Sequence, residues 1–181
     1  IIEILPKVEI YEFLPDKYKE YPLLIPQKAG KSKNHMDLVK ILFKDKEVIL
    51  IDPEKNYRVK ELIWMDSPAI NPPKLKGFIK NKGYLSYNMN FDLLRKYRER
   101  ILKDVNSYIK DNSGKFPKKI FLARQQNKRK YNQEAVIDLF NSYDFEAIYP
   151  ENFSFIEQAY IFSQAEYISG LNGSAWANIL F

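Results

Sequence analysis

The chain has 181 residues, 45% hydrophobic and 15% aromatic, which is enough for one sizeable domain or two small ones. Zero cysteines exclude disulfides and thiolate metal sites, and a single histidine, His35, excludes a multi-histidine cluster. The formal net charge of +6 favours an anionic partner, which charge alone does not choose among nucleic acid, anionic lipid and a phosphorylated small molecule.

The opening "IIEILPKVEIYEFL" has neither the basic start nor the small-residue cleavage site of a signal peptide, and no apolar run reaches membrane-spanning length. With no initiator Met and an apolar run at each end, the chain reads as cut at both ends. Glu3 stands between apolar neighbours, where burial would raise its pKa toward the range of a general base. A carboxylate satisfied by a local partner is the plainer reading. Tyr21 to Pro26 reads as a buried strand, Asn34 to Phe43 as a helix capped by Asn34, and Glu47 to Asp52 as a second strand. Together they predict a βαβ unit. Asp52, at the strand end, is a second candidate base or simply the cap of the next turn. "AGKS" at 29–32 is no phosphate loop, because that motif needs glycine where Ile25 stands. His35 is expected on the surface.

Tyr57 to Met65 predicts a further extended segment, and three prolines between Ser67 and Lys74 then forbid regular structure and suggest a boundary. A long amphipathic helix follows, capped by Asn90, with Phe91, Leu94, Ile101, Val105 and Tyr108 on its apolar face. The expected organisation is an N-terminal part at 1–75, a connecting segment with the long helix at 76–114, and a C-terminal part at 115–181.

The C-terminal part alternates clearly. Strand Lys119 to Ala123 leads to a basic loop, a helix from Gln133 to Ser142, strand Phe145 to Tyr149, a helix from Phe155 to Gln164 and strand Tyr167 to Ser169. Such alternation implies a mostly parallel sheet, whose ligands bind outside the carboxyl ends of the strands. Two clusters occupy such ends. Arg124 directly follows an apolar strand, where a merely solvated charge gains little; Lys128, Arg129 and Lys130 follow, and Asn132 is a helix-cap candidate. The "GLNGSAW" turn offers Gly170 and Gly173 for close backbone approach, Asn172 as a polar group, and Ser174 as a cap. Either alone reads as an ordinary loop or tight turn; together they suggest a phosphate and sugar site. Glu157 has the S-x-x-E spacing of a capping box with Ser154, which leaves Gln158 as the freer polar group. No D-x-D occurs to hold a divalent ion on a diphosphate.

"KIFLARQQNKRKYNQEAVIDLF" and "FEAIYPENFSFIEQAYIFSQAEYISGLNGSAWANILF" resemble glycosyltransferase family 61, the capsular polysaccharide biosynthesis-like group. The pattern is an apolar strand ending in Arg, a second Arg before Asn and an acid or amide, Ser-Phe-x-Glu-Gln, then Gly-x-His-Gly-Ala followed by Asn and an apolar pair. It falls on Arg124, Arg129, Asn132, Ser154 through Gln158, Gly170, Gly173, Ser174 and Asn178; Asn172 stands where the family has histidine. "IIEILPKV" resembles the family's early Glu-x-Leu-Pro segment. The resemblance covers nearly the whole chain, most specifically its second half.

The resemblance implies a GT-B-like α/β fold of two Rossmann-like parallel-sheet domains, acceptor-side then donor-side. It also implies metal-independent, inverting transfer from a nucleotide sugar, UDP-linked being one option, to a glycan or glycoconjugate acceptor. No cofactor and no metal are expected. Arg124, Arg129, Asn132, Gln158, Gly170, Asn172, Gly173, Ser174 and Asn178 become donor-site candidates, with Glu3 favoured over Asp52 as base. The cations gather after strands, which favours a free nucleotide over nucleic acid. A basic nucleic-acid-binding module and a non-catalytic homologue are the alternatives. A cytoplasmic or membrane-peripheral location follows, or the secretory lumen in a eukaryote.

Overall fold

Short apolar runs separated by amphipathic helices produce parallel pairing, and the computed structural model has such pairing in both halves. It describes residues 7–44, 46–65, 69–70, 88–112, 116–125 and 131–181. The chain divides into two units, Ile1–Tyr97 and Arg98–Phe181, with the division inside one long helix.

In the first unit, helices α1 (Lys7–Tyr11) and α2 (Asp16–Lys19) precede strand β1 (Leu23–Pro26), then α3 (Gln27–Gly30), α4 (Lys33–Phe43) and β2 (Val48–Ile51). β1 and β2 pair in parallel from Leu23↔Val48 to Pro26↔Ile51, which is the expected βαβ unit. Leu38 and Leu42 of α4 and Val8 of α1 are buried, and Tyr11 meets Phe43 edge-on at 5.3 Å between ring centres. The first strand is not fully buried as expected, since Leu24 is exposed; in β2 Ile49 and Leu50 are exposed as well. The cap of α4 is Ser32 rather than Asn34, its Oγ accepting the His35 backbone N–H at 3.4 Å. His35 itself is exposed. Ala29 and Gly30 of "AGKS" close α3, Lys31 is its C-cap and Ser32 caps α4, so helix ends stand where a phosphate loop would be.

Tyr57 to Met65 forms no strand. Its β-favouring residues have no ladder partner among the described residues, and propensity without pairing does not make a sheet. The run is instead tied down by side chains: Tyr57 Oη accepts the Asp52 N–H at 2.9 Å, and Lys7 Nζ donates to the Met65 carbonyl at 2.7 Å. Within the proline-rich stretch only Ala69–Ile70 is described, and it is not without regular structure as expected: it forms the short strand β3 (Ala69–Ile70), antiparallel to β4 (Asn88–Met89), while 66–68 and 71–77 lie outside the described residues.

Helix α5 (Phe91–Asn112) starts as expected, with Asn90 Oδ1 accepting the Leu93 N–H at 3.1 Å. Leu94, Tyr97, Ile101 and Val105 are buried at i, i+3, i+4 spacing. Phe91, expected on that face, is exposed. Burial pushes the Tyr97 hydroxyl well above its ordinary pKa.

The second unit holds the better-covered sheet. Strand β5 (Lys119–Leu122) is flanked by β6 (Glu146–Ile148) and β7 (Tyr167–Gly170), all parallel, in the order β6-β5-β7. A central parallel strand is covered on both faces, and Ile120, Phe121 and Leu122 are all buried. Helix α6 (Gln133–Asn141) links β5 to β6, and α7 (Phe155–Gln164) links β6 to β7. Phe121 packs on Phe140 at 4.7 Å, Phe140 on Phe145 at 5.2 Å, and Phe155 on Phe181 at 5.6 Å.

The capping box is present: Ser154 Oγ accepts the Glu157 N–H at 3.3 Å and Glu157 Oε2 accepts the Ser154 N–H at 2.8 Å. Ser154→Ala is expected to lower stability by about 1 kcal/mol, read as a reduced urea midpoint with unchanged slope. No helix among the described residues is long and apolar enough to cross a membrane.

Candidate active site at the carboxyl edge of the second sheet

All three strands of the second sheet end at the same edge, because they are parallel and in register: Leu122 lies opposite both Ile148 and Gly170. The residues that follow therefore converge. Ala123 makes the last bond to β6, its N–H donating to the Ile148 carbonyl at 2.9 Å. Arg124 is the first residue beyond the ladder and reaches across to the turn after β7, where its Nη2 donates to the Asn172 carbonyl. Two sequence candidates 48 positions apart are thus brought into contact.

The glycine turn makes room for this contact. A Cβ on Gly173 would stand against Nη2 of Arg124, with Cζ at 3.1 Å. Gly170 instead lets the chain pass close to β5. Its φ of +144° suits glycine, and a Cβ there would lie 2.7 Å from Leu122 Cβ and 2.8 Å from the Leu122 carbonyl oxygen. The turn's carbonyls are engaged: Leu171 accepts from the Trp176 indole at 3.0 Å, Asn172 from Arg124, and Gly173 from the Trp176 N–H at 3.1 Å. Among the described residues the backbone N–H groups of Asn172 and Gly173 make no hydrogen bond. Ser174 does not cap as expected; Gly173 is the cap residue, without a side-chain bond, and Ser174 opens a 3₁₀ helix, Ser174–Leu180. A seven-residue helix of this kind offers only a short dipole.

Beyond β5 the described residues Arg124 and Gln125 are held from both sides. Gln133, the first residue of α6 and 5% exposed, accepts the Arg124 N–H on Oε1 at 2.8 Å and donates Nε2 to the Arg124 carbonyl at 2.9 Å. Tyr131 donates its hydroxyl to the same Oε1 at 2.6 Å. Partial burial raises the Tyr131 pKa, the nearby Arg124 charge acts in the opposite direction, and Tyr149 adds to the rise. On the other side the Gln125 N–H donates to Glu151 Oε1 at 2.9 Å, and Gln125 Nε2 donates to Asn152 Oδ1 at 3.2 Å.

Asn132 sits at the cap position of α6, yet its side chain makes no capping bond, so the cap expected from its identity is not used. Gln158 and Asn178 meet each other: Asn178 Nδ2 donates to Gln158 Oε1 at 2.8 Å, and Gln158 Nε2 donates to the Phe153 carbonyl at 3.0 Å. Asn178 is buried, and the pair joins α7 to the closing 3₁₀ helix. In the first unit, Asp52 Oδ1 accepts the Glu54 N–H at 3.0 Å and Oδ2 lies 3.6 Å from Lys55 Nζ, as in a local turn. Glu3, Lys128, Arg129 and Lys130 lie outside the described residues. Among the described residues no three His, Cys, Asp or Glu gather as a metal site.

Gln133, Tyr131 and Glu151 are contributors that reading by element missed. The acid-or-amide position after Asn132 was the available signal for Gln133. Residue type alone does not reveal that an amide will reach back nine positions to a strand end.

A parallel three-stranded sheet with a cation and a glycine turn at its carboxyl edge is the arrangement by which α/β proteins receive anionic ligands. The family model for glycosyltransferase 61 matches residues 1–181, and the chain belongs to that family. It is a glycosyltransferase of mixed α/β fold with small parallel sheets, acting between a sugar donor and a glycan acceptor. No curated protein and no solved structure matches the chain.

Proposed function

We propose that the protein transfers a sugar from a nucleotide-sugar donor to a hydroxyl of a glycan or glycoconjugate acceptor, with inversion and without a divalent metal. The donor diphosphate sits at the carboxyl edge of the β6-β5-β7 sheet. The observation that carries this is the convergence of Arg124 with the Gly170–Gly173 turn. A guanidinium has five N–H donors. Among the described residues that of Arg124 makes one hydrogen bond, so its fork retains donors for phosphate oxygens. The N–H groups of Asn172 and Gly173 supply uncharged donors beside it.

Chemically, an acceptor O–H loses its proton to a carboxylate base as its oxygen attacks the anomeric carbon. The bond from that carbon to the diphosphate breaks, and the nucleoside diphosphate departs with the electron pair. Arg124 stabilises the charge that develops on the leaving oxygen, and Arg129 is a second candidate for that role. Glu3 and Asp52 are the candidate bases. The absence of D-x-D in the sequence supports side-chain cations in place of a divalent ion. Two Rossmann-like domains, acceptor-side at 1–75 and donor-side at 115–181, joined through 76–114, form the architecture of this reading. The βαβ pairing of β1 with β2 supports it for the first part, and the β6-β5-β7 sheet for the second.

The test is thermal denaturation and calorimetry of the protein with UDP, GDP or CMP in the presence of EDTA. One nucleotide is expected to raise the melting temperature, and Arg124→Ala to weaken its binding by about thirtyfold, the value of one charge-assisted hydrogen bond of roughly 2 kcal/mol. Binding of none of the three, or equal binding by Arg124→Ala, refutes the donor site.

A further inference from the structure

We propose that Gln133 is a positioning residue for Arg124: its side-chain amide acts as a substitute strand that fixes the Arg124 backbone and so aims the guanidinium across the sheet edge. The inference rests on the donor-site reading above and adds a residue that no feature of that reading requires.

The ladder explains the need. Beyond Ala123 β5 has no further ladder partner, since β6 gives way to the 3₁₀ turn Pro150–Asn152 and β7 to the turn at 171–173. Arg124 would therefore leave the sheet with an unpaired N–H and carbonyl, and partly buried backbone groups require partners. Gln133 satisfies both, accepting from the N–H at 2.8 Å and donating to the carbonyl at 2.9 Å. Glutamine can do this because its terminus carries an acceptor and a donor side by side; glutamate lacks the donor, and leucine lacks both. The paired geometry restricts rotation of the Arg124 backbone, which a single bond would leave free to pivot. Tyr131, by donating to the same Oε1 at 2.6 Å, orients the amide itself. Gln133 is nearly buried, so these bonds are shielded from competing water.

The guanidinium lies at the end of a long side chain, so a modest swing of the Arg124 backbone moves it away from the Asn172 carbonyl and the N–H groups of the turn. Gln133 does not bond to Asn172, Gly173 or the guanidinium. Its effect on a ligand therefore passes through Arg124, and this distinguishes positioning from general support of the fold.

The experiment is a double-mutant cycle on nucleotide affinity, measured calorimetrically with UDP, GDP and CMP in EDTA, for wild type, Gln133→Ala, Arg124→Ala and the double variant. Melting temperatures report folding in parallel. Gln133→Ala is expected to weaken binding by about tenfold when Arg124 is present, and by less than about twofold in the Arg124→Ala background, because coupled residues are not additive. Tyr131→Phe, a milder change for use if Gln133→Ala does not fold, is expected to weaken binding by about threefold and to have no effect without Arg124. Full affinity in these single variants, or equal losses with and without Arg124, overturns the positioning role while leaving the donor site standing. Failure of wild type to bind any of the three, or of Arg124→Ala to matter, instead overturns the donor site and this inference with it.

Discussion

Gly170→Ala is expected to lower the stability of the protein by roughly 3 kcal/mol or more, combining backbone strain with overpacking. At φ +144° any side chain is strained, and the added carbon would also lie 2.7 Å from Leu122 Cβ, 2.8 Å from the Leu122 carbonyl oxygen and 3.0 Å from its nitrogen. The obstruction is the backbone of β5, the central strand, which cannot move without disturbing both parallel ladders. In urea the midpoint should fall by about 1–2 M with the slope preserved, as for a loss of stability with an unchanged unfolded state. A midpoint equal to that of wild type would mean that this strand end has no need of glycine.

Much of the second unit was legible because its punctuation is local. Ser154 and Glu157 announce a helix start within four residues, and the short apolar "KIFLA" run reads as a strand, whose Ile120 to Ala123 are buried. The strands and helices predicted there lie within one or two residues of those observed. Arg124 was legible for a related reason, being a full charge against an apolar strand. The first unit was harder. Ser32 and Asn34 are both good caps two positions apart, and only the bond from the His35 N–H decides between them. Tyr57 to Met65 has the composition of a strand but lacks a ladder partner among the described residues, a fact no local pattern contains. Gln133 was missed on the same ground, since its function lies in a tertiary bond to Arg124 rather than in its place on a helix. Gln158 and Asn178 show the converse: a motif marks the residues, while the structure uses their amides to join two helices.

Gly173→Val separates site from fold at a position that resembles Gly170 in sequence. Its φ of −175° is extended backbone open to any residue, so no strain opposes the change. The obstruction is the guanidinium of Arg124, the far end of a flexible side chain, which can swing aside without disturbing a strand. The expected result is therefore a stability near that of wild type with a severe loss of nucleotide affinity. Loss of the aimed guanidinium removes a charge-assisted bond of roughly 2 kcal/mol, and the branched side chain also covers the N–H groups of Asn172 and Gly173. The combined effect should reach about a hundredfold or more, larger than that of Arg124→Ala, which leaves those N–H groups accessible. Calorimetry with the nucleotide that stabilises wild type, beside a urea titration of the same variant, provides both measurements. Should affinity survive in a folded Gly173→Val protein, the diphosphate does not lie between Arg124 and this turn. If stability collapses along with affinity, Gly173 serves the fold as Gly170 does, and the division of labour between the two glycines is wrong.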